Sequence, residues 1–482
     1  MTIVAKLAKH LKIILVFLWL DNSRDNSMSN VSVIILAAGQ GSRMKSALPK
    51  VLHPIAGKAL VQHVIDTSYE LKANKIIGVY GHGGDIVPKT IADDNVTWVV
   101  QEEQLGTGHA VDQAMPEVAD KDIALVLYGD VPLIKKETLE QLIEKASSGF
   151  ALLTVELDDP TGYGRIVRGE NGKVERIVEH KDSTEDEKLI TEINTGILAV
   201  NAGELRSWLK RLDNSNAQGE YYLTDVIAMA VNDDIEVKTV NPQSEEEVLG
   251  VNSRIQLAEL EGFYQLSNAQ SLMEQGVTVI DPTRLDLRGN VTVGKDVTLD
   301  INVILEGNVV IGDNVTIGAN CVIKDSTIES GVVMQPMCCV DQGIIGANSK
   351  VGPFARIRPG TKLSSETHIG NFVEIKNSNV AKGSKINHLS YVGDTDMGEN
   401  VNIGAGTITC NYDGANKFRT EIGDNVFIGS DTQLIAPIKI GDGATIGAGS
   451  TITKDTPENE LTLTRAKQTS IKGWQRPTKD KK

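Results

Sequence analysis

Two rhythms of hydrophobic and polar positions divide the chain. Between Val31 and Asn252, short aliphatic runs alternate with stretches of helical period. Runs at 31–37, 75–80, 96–101, 123–128, 150–157, 193–200 and 235–240 predict strands, and segments such as 58–72 and 137–146 predict helices. This alternation predicts an α/β domain, Rossmann-like with a mostly parallel sheet, whose ligands lie beyond the carboxyl ends of its strands. From Val291 onward the apolar positions return every six residues. Val291, Val297, Val303, Val309, Val315 and Cys321 form one run, and Val293, Leu299, Leu305, Ile311, Ile317 and Ile323 follow it two positions later. Ile345, Val351, Ile357, Leu363, Ile369 and Ile375 form another run, as do Ile428, Leu434, Ile440, Ile446 and Ile452. A strict period of six fits neither a helix nor a sandwich. It predicts a triangular parallel β-helix of about nine coils at roughly eighteen residues each. Leu257, Leu260, Tyr264 and Leu272 predict a connecting helix over 253–275. The expected division is therefore 28–252, the helix 253–275, and 276–482, with 1–27 as an extension outside the fold.

Composition agrees with the second rhythm. Aromatics are only 4% and glycines number 45, as a narrow interior of small and branched side chains requires. A net charge of −16 argues against nucleic acid as a partner, since phosphate backbones demand a basic face. Cys321, Cys338, Cys339 and Cys410 show neither metal-ligand spacing nor a disulfide framework, which points to a reducing cytosol. The adjacent pair Cys338 and Cys339 suggests no role. Near the start, Ile13 to Leu20 follow three lysines as a signal sequence would, but the run is too short to span a bilayer and no small-residue cleavage site follows. No membrane partner is expected.

The chemistry begins at LAAGQGSRMKSALPK, residues 36–50, directly after the first strand. The dinucleotide fingerprint needs a third glycine three residues after its second, where Met44 stands, and the Walker Gly-Lys-Ser/Thr ending is also absent. What remains is Gly39-x-Gly41-x-Arg43 with Lys50 beyond. Backbone groups of such a loop can cradle phosphates while Arg43 and Lys50 neutralise them. In LYGDVPLI, Asp130 closes a buried strand, either as a metal ligand or as a cap of the next turn.

Further motifs follow in order: QEEQLGTGHA (101–110), YGDVPL (128–133), TGYGRI (161–166), IVEHKD (177–182), EINTG (192–196), GEYYLTD (219–225) and GVNSR (250–254). Together with the glycine loop, they resemble the nucleotidyltransferases that join a nucleoside triphosphate to a sugar 1-phosphate. The resemblance implies nucleotide contacts at Leu36, Ala37, Ala38, Gly39, Tyr128 and Gly129, with Lys50 on the α-phosphate and Arg43 beside it as catalytic cations. It implies Mg²⁺, one ion or two, on Asp130 and Asn252. Gln101, Gly106 and Thr107 match the pyrimidine-reading positions, and Gly164, Glu179, Asn194 and Thr195 match those holding the sugar.

The repeat domain carries two histidines, His368 and His388, and a lone histidine in a solenoid is ordinarily a surface or packing residue. Its context is more specific. NFVEIKN (371–377), NHLSYVGD (387–394) and NIGAGTITCNYDGANK (402–417) resemble the hexapeptide acetyltransferases, whose β-helix is left-handed. The stretch 407–421 interrupts the repeat and reads as a ligand-binding loop. From Met28 to the C-terminus, the chain is similar to the bifunctional bacterial family that makes UDP-N-acetylglucosamine, a precursor for peptidoglycan and lipopolysaccharide. That likeness implies His388 as general base, and Arg358, Lys376, Tyr391, Asn402 and Asn411 as substrate contacts. Glu374 would orient the amine or the histidine. Ala405, Asn411, Tyr412, Lys417, Ser430, Ala448 and Arg465 would meet acetyl-CoA. It further implies UTP and acetyl-CoA as co-substrates, a homotrimer and a cytoplasmic location. A transferase for another sugar and a non-catalytic assembly subunit are the rival readings. EINTG and the NYDGANK loop oppose the first, and intact Lys50, Asp130 and His388 oppose the second.

Overall fold

The computed structural model describes residues 30–479 apart from Gln40 and His82, so the expected extension 1–27 lies outside the described residues. The chain divides after Tyr264 into two compact units. Among the described residues, no helix is long and apolar enough to cross a membrane.

In the first unit the aliphatic runs become strands: β1 (Val31–Leu36), β2 (Lys75–Tyr80), β3 (Val96–Val100), β4 (Ile123–Tyr128), β5 (Phe150–Glu156), β6 (Arg165–Arg168), β7 (Val174–Val178), β8 (Glu192–Asn201) and β9 (Val237–Val240). The sheet runs β9-β5-β8-β4-β1-β2-β3, with β6 pairing β8 and β7. β1 is parallel to β2 and β4, whereas β8 runs antiparallel to β4 and β5. Helices α1 (Leu60–Glu70), α2 (Ile86–Ile91), α3 (Thr107–Ala114), α4 (Lys136–Ala146), α5 (Ala202–Leu209) and α6 (Asp225–Asn232) accompany these strands. Successive β1 side chains enter different cores. Val33 and Ile35 pack with Val61, Val64 and Leu139, while Ile34 packs with Val111, Leu205 and Trp208. Helices on both faces explain why β1 reads as a continuous apolar run rather than an alternating one. The β6–β7 pair went unread because Arg165, Arg168, Glu175 and Arg176 interrupt its apolar pattern.

Helix α7 (Arg254–Glu274) crosses the division. Its Leu257, Leu260 and Tyr264 pack with Met44, Ile55 and Leu60, whereas Ala269 and Leu272 join the core of the second unit.

That second unit is a parallel β-helix. One ladder stacks eleven short strands from Thr278–Val279 to Leu461–Thr462, and another stacks seventeen. The stack thus begins before Val291 and ends after Ile452, beyond the limits of the six-residue pattern. The pairing Leu285↔Val303 advances eighteen residues, Val322↔Cys339 seventeen, and Ile408↔Gln433 twenty-five. Seventeen-residue coils shorten one side by a residue. The interior aliphatics then step by five, as from Ile323 to Ile328 and from Val340 to Ile345, which breaks the phase of the sequence pattern. Apart from the half-buried Val291 and Val293, every residue of the runs named above is buried. Cys338 points inward and Cys339 outward, and both are free thiols.

One corner departs from the usual chemistry. Asn302 and Asn320 adopt left-handed backbone, which asparagine tolerates, but the next four coils place Met337, Phe354, Phe372 and Leu389 there. Left-handed backbone costs such residues about 1–2 kcal/mol each. All four are about half exposed or more, and Phe354 stacks on Phe372 with ring centroids 5.1 Å apart. The interior is packed far more tightly. Ile357→Ala should therefore cost about 2–5 kcal/mol through lost burial and the cavity left behind, measured as a lower denaturation midpoint.

Candidate active sites

The first site begins where β1 ends. A cavity of about 540 Å³ is lined by Leu36, Ala37, Ala38, Gly39, Lys50, Gln101, Gly106, Thr107, Tyr128 and Asp130, all singled out from the sequence, and by Val51, Gln104, Ala110 and Glu220, which were not. Gly41 holds φ +60, and a Cβ there would lie 2.6 Å from Lys50 Cβ, so the glycine loop packs directly on the lysine stem. Lys50 Nζ donates to Asn252 Oδ1 at 3.0 Å and, closer still, to Asp130 Oδ2. The Val251 N–H donates to the Asp130 carbonyl at 2.9 Å, which draws the 250–252 segment beside that strand end. Two hard oxygen donors thus converge on one cation, a donor set that also suits a small divalent ion.

The opposite wall is set by backbone. Gly106 adopts φ +113, and a Cβ there would meet Tyr221 O at 2.6 Å. Gln101 Nε2 donates to Gly106 O at 3.1 Å, and Thr107 Oγ1 accepts from Leu223 N at 3.1 Å. The QEEQLGTG and GEYYLTD loops are therefore tied together, and Glu220 reaches the cavity through this link. Gly129 is closely packed by Leu36 O, Val51 and Val61.

Arg43, Gly164, Glu179, Asn194, Thr195 and Asn252 lie outside the cavity lining. Asn194 N donates to Gly164 O at 2.8 Å, and Thr195 Oγ1 donates to Leu153 O at 2.8 Å, where the β5–β8 register shifts. A Cβ on Gly164 would lie 3.5 Å from both Glu179 carboxylate oxygens, so these motifs meet. Arg43 is exposed in the turn Ser42–Met44; burial and the Asp130 charge push the Tyr163 hydroxyl up, and the Arg43 charge offsets this only in part. Burial and the nearby Asp130 and Glu179 charges push the Tyr128 hydroxyl up, keeping it neutral. Burial likewise raises the Glu179 carboxyl, partly offset by the Thr224 hydroxyl that donates to it at 3.1 Å.

The second site follows from coil register. The N–H of Leu389 donates to Asn371 O, that of Gly406 to His388 O, that of Asp431 to Ala405 O and that of Gly449 to Ser430 O. Asn371, His388, Ala405, Ser430 and Ala448 therefore form one column on successive coils, with the small residues continuing from the histidine. Arg465 approaches its far end, 3.7 Å from where a Gly447 Cβ would stand. His388 is exposed, and its Nδ1 lies 2.8 Å from Asn371 Oδ1. An amide oxygen there calls for the proton on Nδ1 and leaves the Nε2 lone pair available. Asn371 was not singled out from the sequence, although its separation of seventeen residues from His388 is one coil.

Glu374 does not orient this histidine. It accepts instead from Arg358 at 2.7 Å. Lys376 sits one coil beyond Arg358, and Tyr391 pairs with Glu374 in the same ladder, whereas Asn402 belongs to the other ladder. The twenty-five-residue coil projects a turn opened by the buried Asn411 and closed by Phe418 N donating to Asn411 O at 2.9 Å. Asp413 caps this turn through the N–H groups of Ala415 and Asn416, leaving Tyr412 and Lys417 exposed.

Known families match both units. Residues 33–180 match the MobA-like NTP transferase domain, 287–369 the GMPPB C-terminal domain, and 419–454 the bacterial transferase hexapeptide with six repeats. The Bifunctional protein GlmU of Azoarcus sp. (strain BH72) is 58% identical, across 94% of this chain and 100% of that protein. Those of Nitrosospira multiformis and Marinobacter nauticus are each 57% identical, across 94% of this chain and 99% and 100% of theirs. The chain belongs to the GlmU family. This membership makes the chain a bifunctional uridylyltransferase and acetyltransferase.

The raised Glu179 carboxyl gives the first site a pH signature. Because burial favours its protonated form, the Glu179 carboxylate is lost, as pH falls, earlier than an ordinary glutamate near pH 4.3. The KM for the sugar phosphate should therefore rise on the acid side above that value, and Glu179→Gln should flatten this limb in a KM–pH profile. A limb unchanged in the variant would assign the titration to another group.

Proposed function

We propose that each motif set forms one working site of a two-step synthesis of UDP-N-acetylglucosamine, uridylyl transfer in 28–252 and acetyl transfer in 276–482. As a GlmU protein the chain acetylates glucosamine 1-phosphate and couples the product to UMP from UTP. One observation carries the residue assignment: motifs scattered along the sequence close onto one place in each unit, around Lys50 in the first and along the His388 column in the second.

In the first site, the glycine loop and Lys50 receive the triphosphate, with Arg43 at its rim. Gln101, Gly106 and Thr107 read the uracil, and Gly164, Glu179, Asn194 and Thr195 hold the sugar. A phosphate oxygen of N-acetylglucosamine 1-phosphate attacks the α-phosphorus, and pyrophosphate departs. Asp130 and Asn252 would hold Mg²⁺, which neutralises the triphosphate and polarises the reacting phosphoryl group.

In the second site, His388 Nε2 takes a proton from the glucosamine amine as its nitrogen attacks the thioester carbonyl carbon. The C–S bond then breaks and CoA leaves as the thiol. Arg358 and Lys376 attract the sugar phosphate, with Tyr391, Asn402 and Asn411 as further contacts and Glu374 toward the amine. Ala405, Ser430 and Ala448 form a lane of small side chains for the pantetheine arm, where Ser430 can stabilise the oxyanion. Tyr412, Lys417 and Arg465 complete the CoA contacts.

A homotrimer in the cytoplasm accords with this reading. The exposed Met337, Phe354, Phe372 and Leu389 corner supports assembly, since a second copy seated there would cover apolar surface next to His388.

The assay combines purified protein with acetyl-CoA, UTP, Mg²⁺ and glucosamine 1-phosphate, following free thiol and pyrophosphate separately. Both should appear, with pyrophosphate lagging behind thiol. His388→Ala should lower acetyl transfer by about 10²-fold or more and leave uridylyl transfer intact when N-acetylglucosamine 1-phosphate is supplied directly as acceptor, and Lys50→Ala should do the converse. Equal loss of both activities in either variant would refute two separate sites.

A further inference from the structure

Asp394 is a charged side chain that no motif reading singled out, and it is 4% exposed. Its carboxylate accepts from Lys376 Nζ at 3.2 and 3.1 Å, from Asn377 Nδ2 at 2.5 Å, and from Asn411 Nδ2 at closer range. Its own N–H donates to Lys376 O at 2.9 Å, and its backbone turns through φ +49. The neighbouring Gly393 leaves room for this cluster, because a Cβ there would lie 2.4 Å from Tyr391 Oη and 2.8 Å from Asn411 Nδ2. Burial opposes ionisation of Asp394, but the donors from Asn377, Lys376 and Asn411 outweigh it and hold its pKa low.

The contrast with the next pair is informative. The side chains of Arg358 and Glu374 are each about one-third exposed, whereas those of Lys376 and Asp394 are 19% and 6% exposed. An open pair can exchange partners with a ligand at little cost. A buried carboxylate with four hydrogen bonds stays in place, because withdrawing any donor leaves an unsatisfied charge. Asp394 thus joins two things that the coil geometry alone does not fix, a long lysine side chain and the first residue of the inserted turn. Ordering a free lysine costs side-chain entropy, and here the protein meets that cost before ligand arrives.

We propose that Asp394 is a positioning residue for acetyl transfer, holding the Lys376 ammonium and the Asn411 carboxamide where the sugar phosphate of the acceptor meets them. The proposal rests on the assignment of Lys376 and Asn411 to the acceptor. Asp394 touches neither acetyl donor nor reacting nitrogen. It acts through its two partners, so its loss should weaken acceptor binding and leave the chemical step in place.

The test compares Asp394→Asn, Lys376→Met and the double variant in the full-length enzyme. Asp394→Asn should raise the KM for glucosamine 1-phosphate about ten- to hundredfold, the loss of a charge-assisted hydrogen-bond set. The acetyl kcat and the KM for acetyl-CoA should stay within about threefold, and uridylyl transfer should not change. The double variant should raise that KM by less than the product of the two single effects, because part of the Asp394 effect passes through Lys376. Should Asp394→Asn fold poorly, Asp394→Glu keeps the charge but displaces it by one methylene, and the same selective rise in KM is expected. A lower melting temperature with an unmoved acceptor KM would make Asp394 a purely structural anion and overturn the proposal. If Lys376→Met itself left that KM unchanged, the acceptor assignment would be the part that failed.

Discussion

The hydrogen bonds that pass from each coil of the β-helix to the next determine where every functional group of the second unit can stand. A parallel ladder places each residue beside the one seventeen or eighteen positions later, so a role at one position extends to its neighbours on the stack. Asn371, His388 and Ala405 acquire their order from this rule, as do Ser430 and Ala448, and the coil of twenty-five residues carries the column from Ala405 to Ser430. A histidine paired on one side by an amide and followed on the other by small side chains is both oriented and approachable. The same rule confines novelty to the coil of twenty-five residues, whose extra length leaves the ladder as the Asn411–Phe418 turn.

The first unit relies on a different constraint, the close approach of loops at strand ends. Gly41 lies against Lys50 and Gly106 against Tyr221 at the cavity, while Gly164 lies against Glu179 outside its lining. Each permits a contact that a Cβ would block. Gly41 and Gly106 also hold positive φ, which few other residues adopt. The lysine, the aspartate and the asparagine then meet in a partly buried space where a cation is matched by oxygen donors.

Much of this was legible in the sequence because periodicity and motif order are local properties. The seven strand predictions fall on observed strands, and the six-residue runs fall on buried positions. What escaped was non-local. The β6–β7 pair is too charged for its period to show, and the eighteen-residue count concealed the seventeen-residue coils that shift the pattern at Ile328 and Ile345. Asn371 and Asp394 escaped for a related reason. Each gains its meaning from a partner one coil away, and the coil length becomes known only once the corners are seen. The resemblance offers Glu374 for the amine or the histidine, and its ladder position sets it against Arg358.

The two sites place charge differently. In the first, Lys50 meets the oxygens of Asp130 and Asn252, and the tyrosines nearby stay neutral under the combined influence of burial and carboxylates. Acetyl transfer needs a neutral nucleophile and a base with a free lone pair. There the cations are held back by partners, Arg358 by Glu374 and Lys376 by Asp394, and His388 faces an uncharged amide rather than a carboxylate. The Asn371 amide oxygen accepts the Nδ1 proton without placing a negative charge beside the ring. The neutral partner is thus part of what makes the column suited to general-base chemistry.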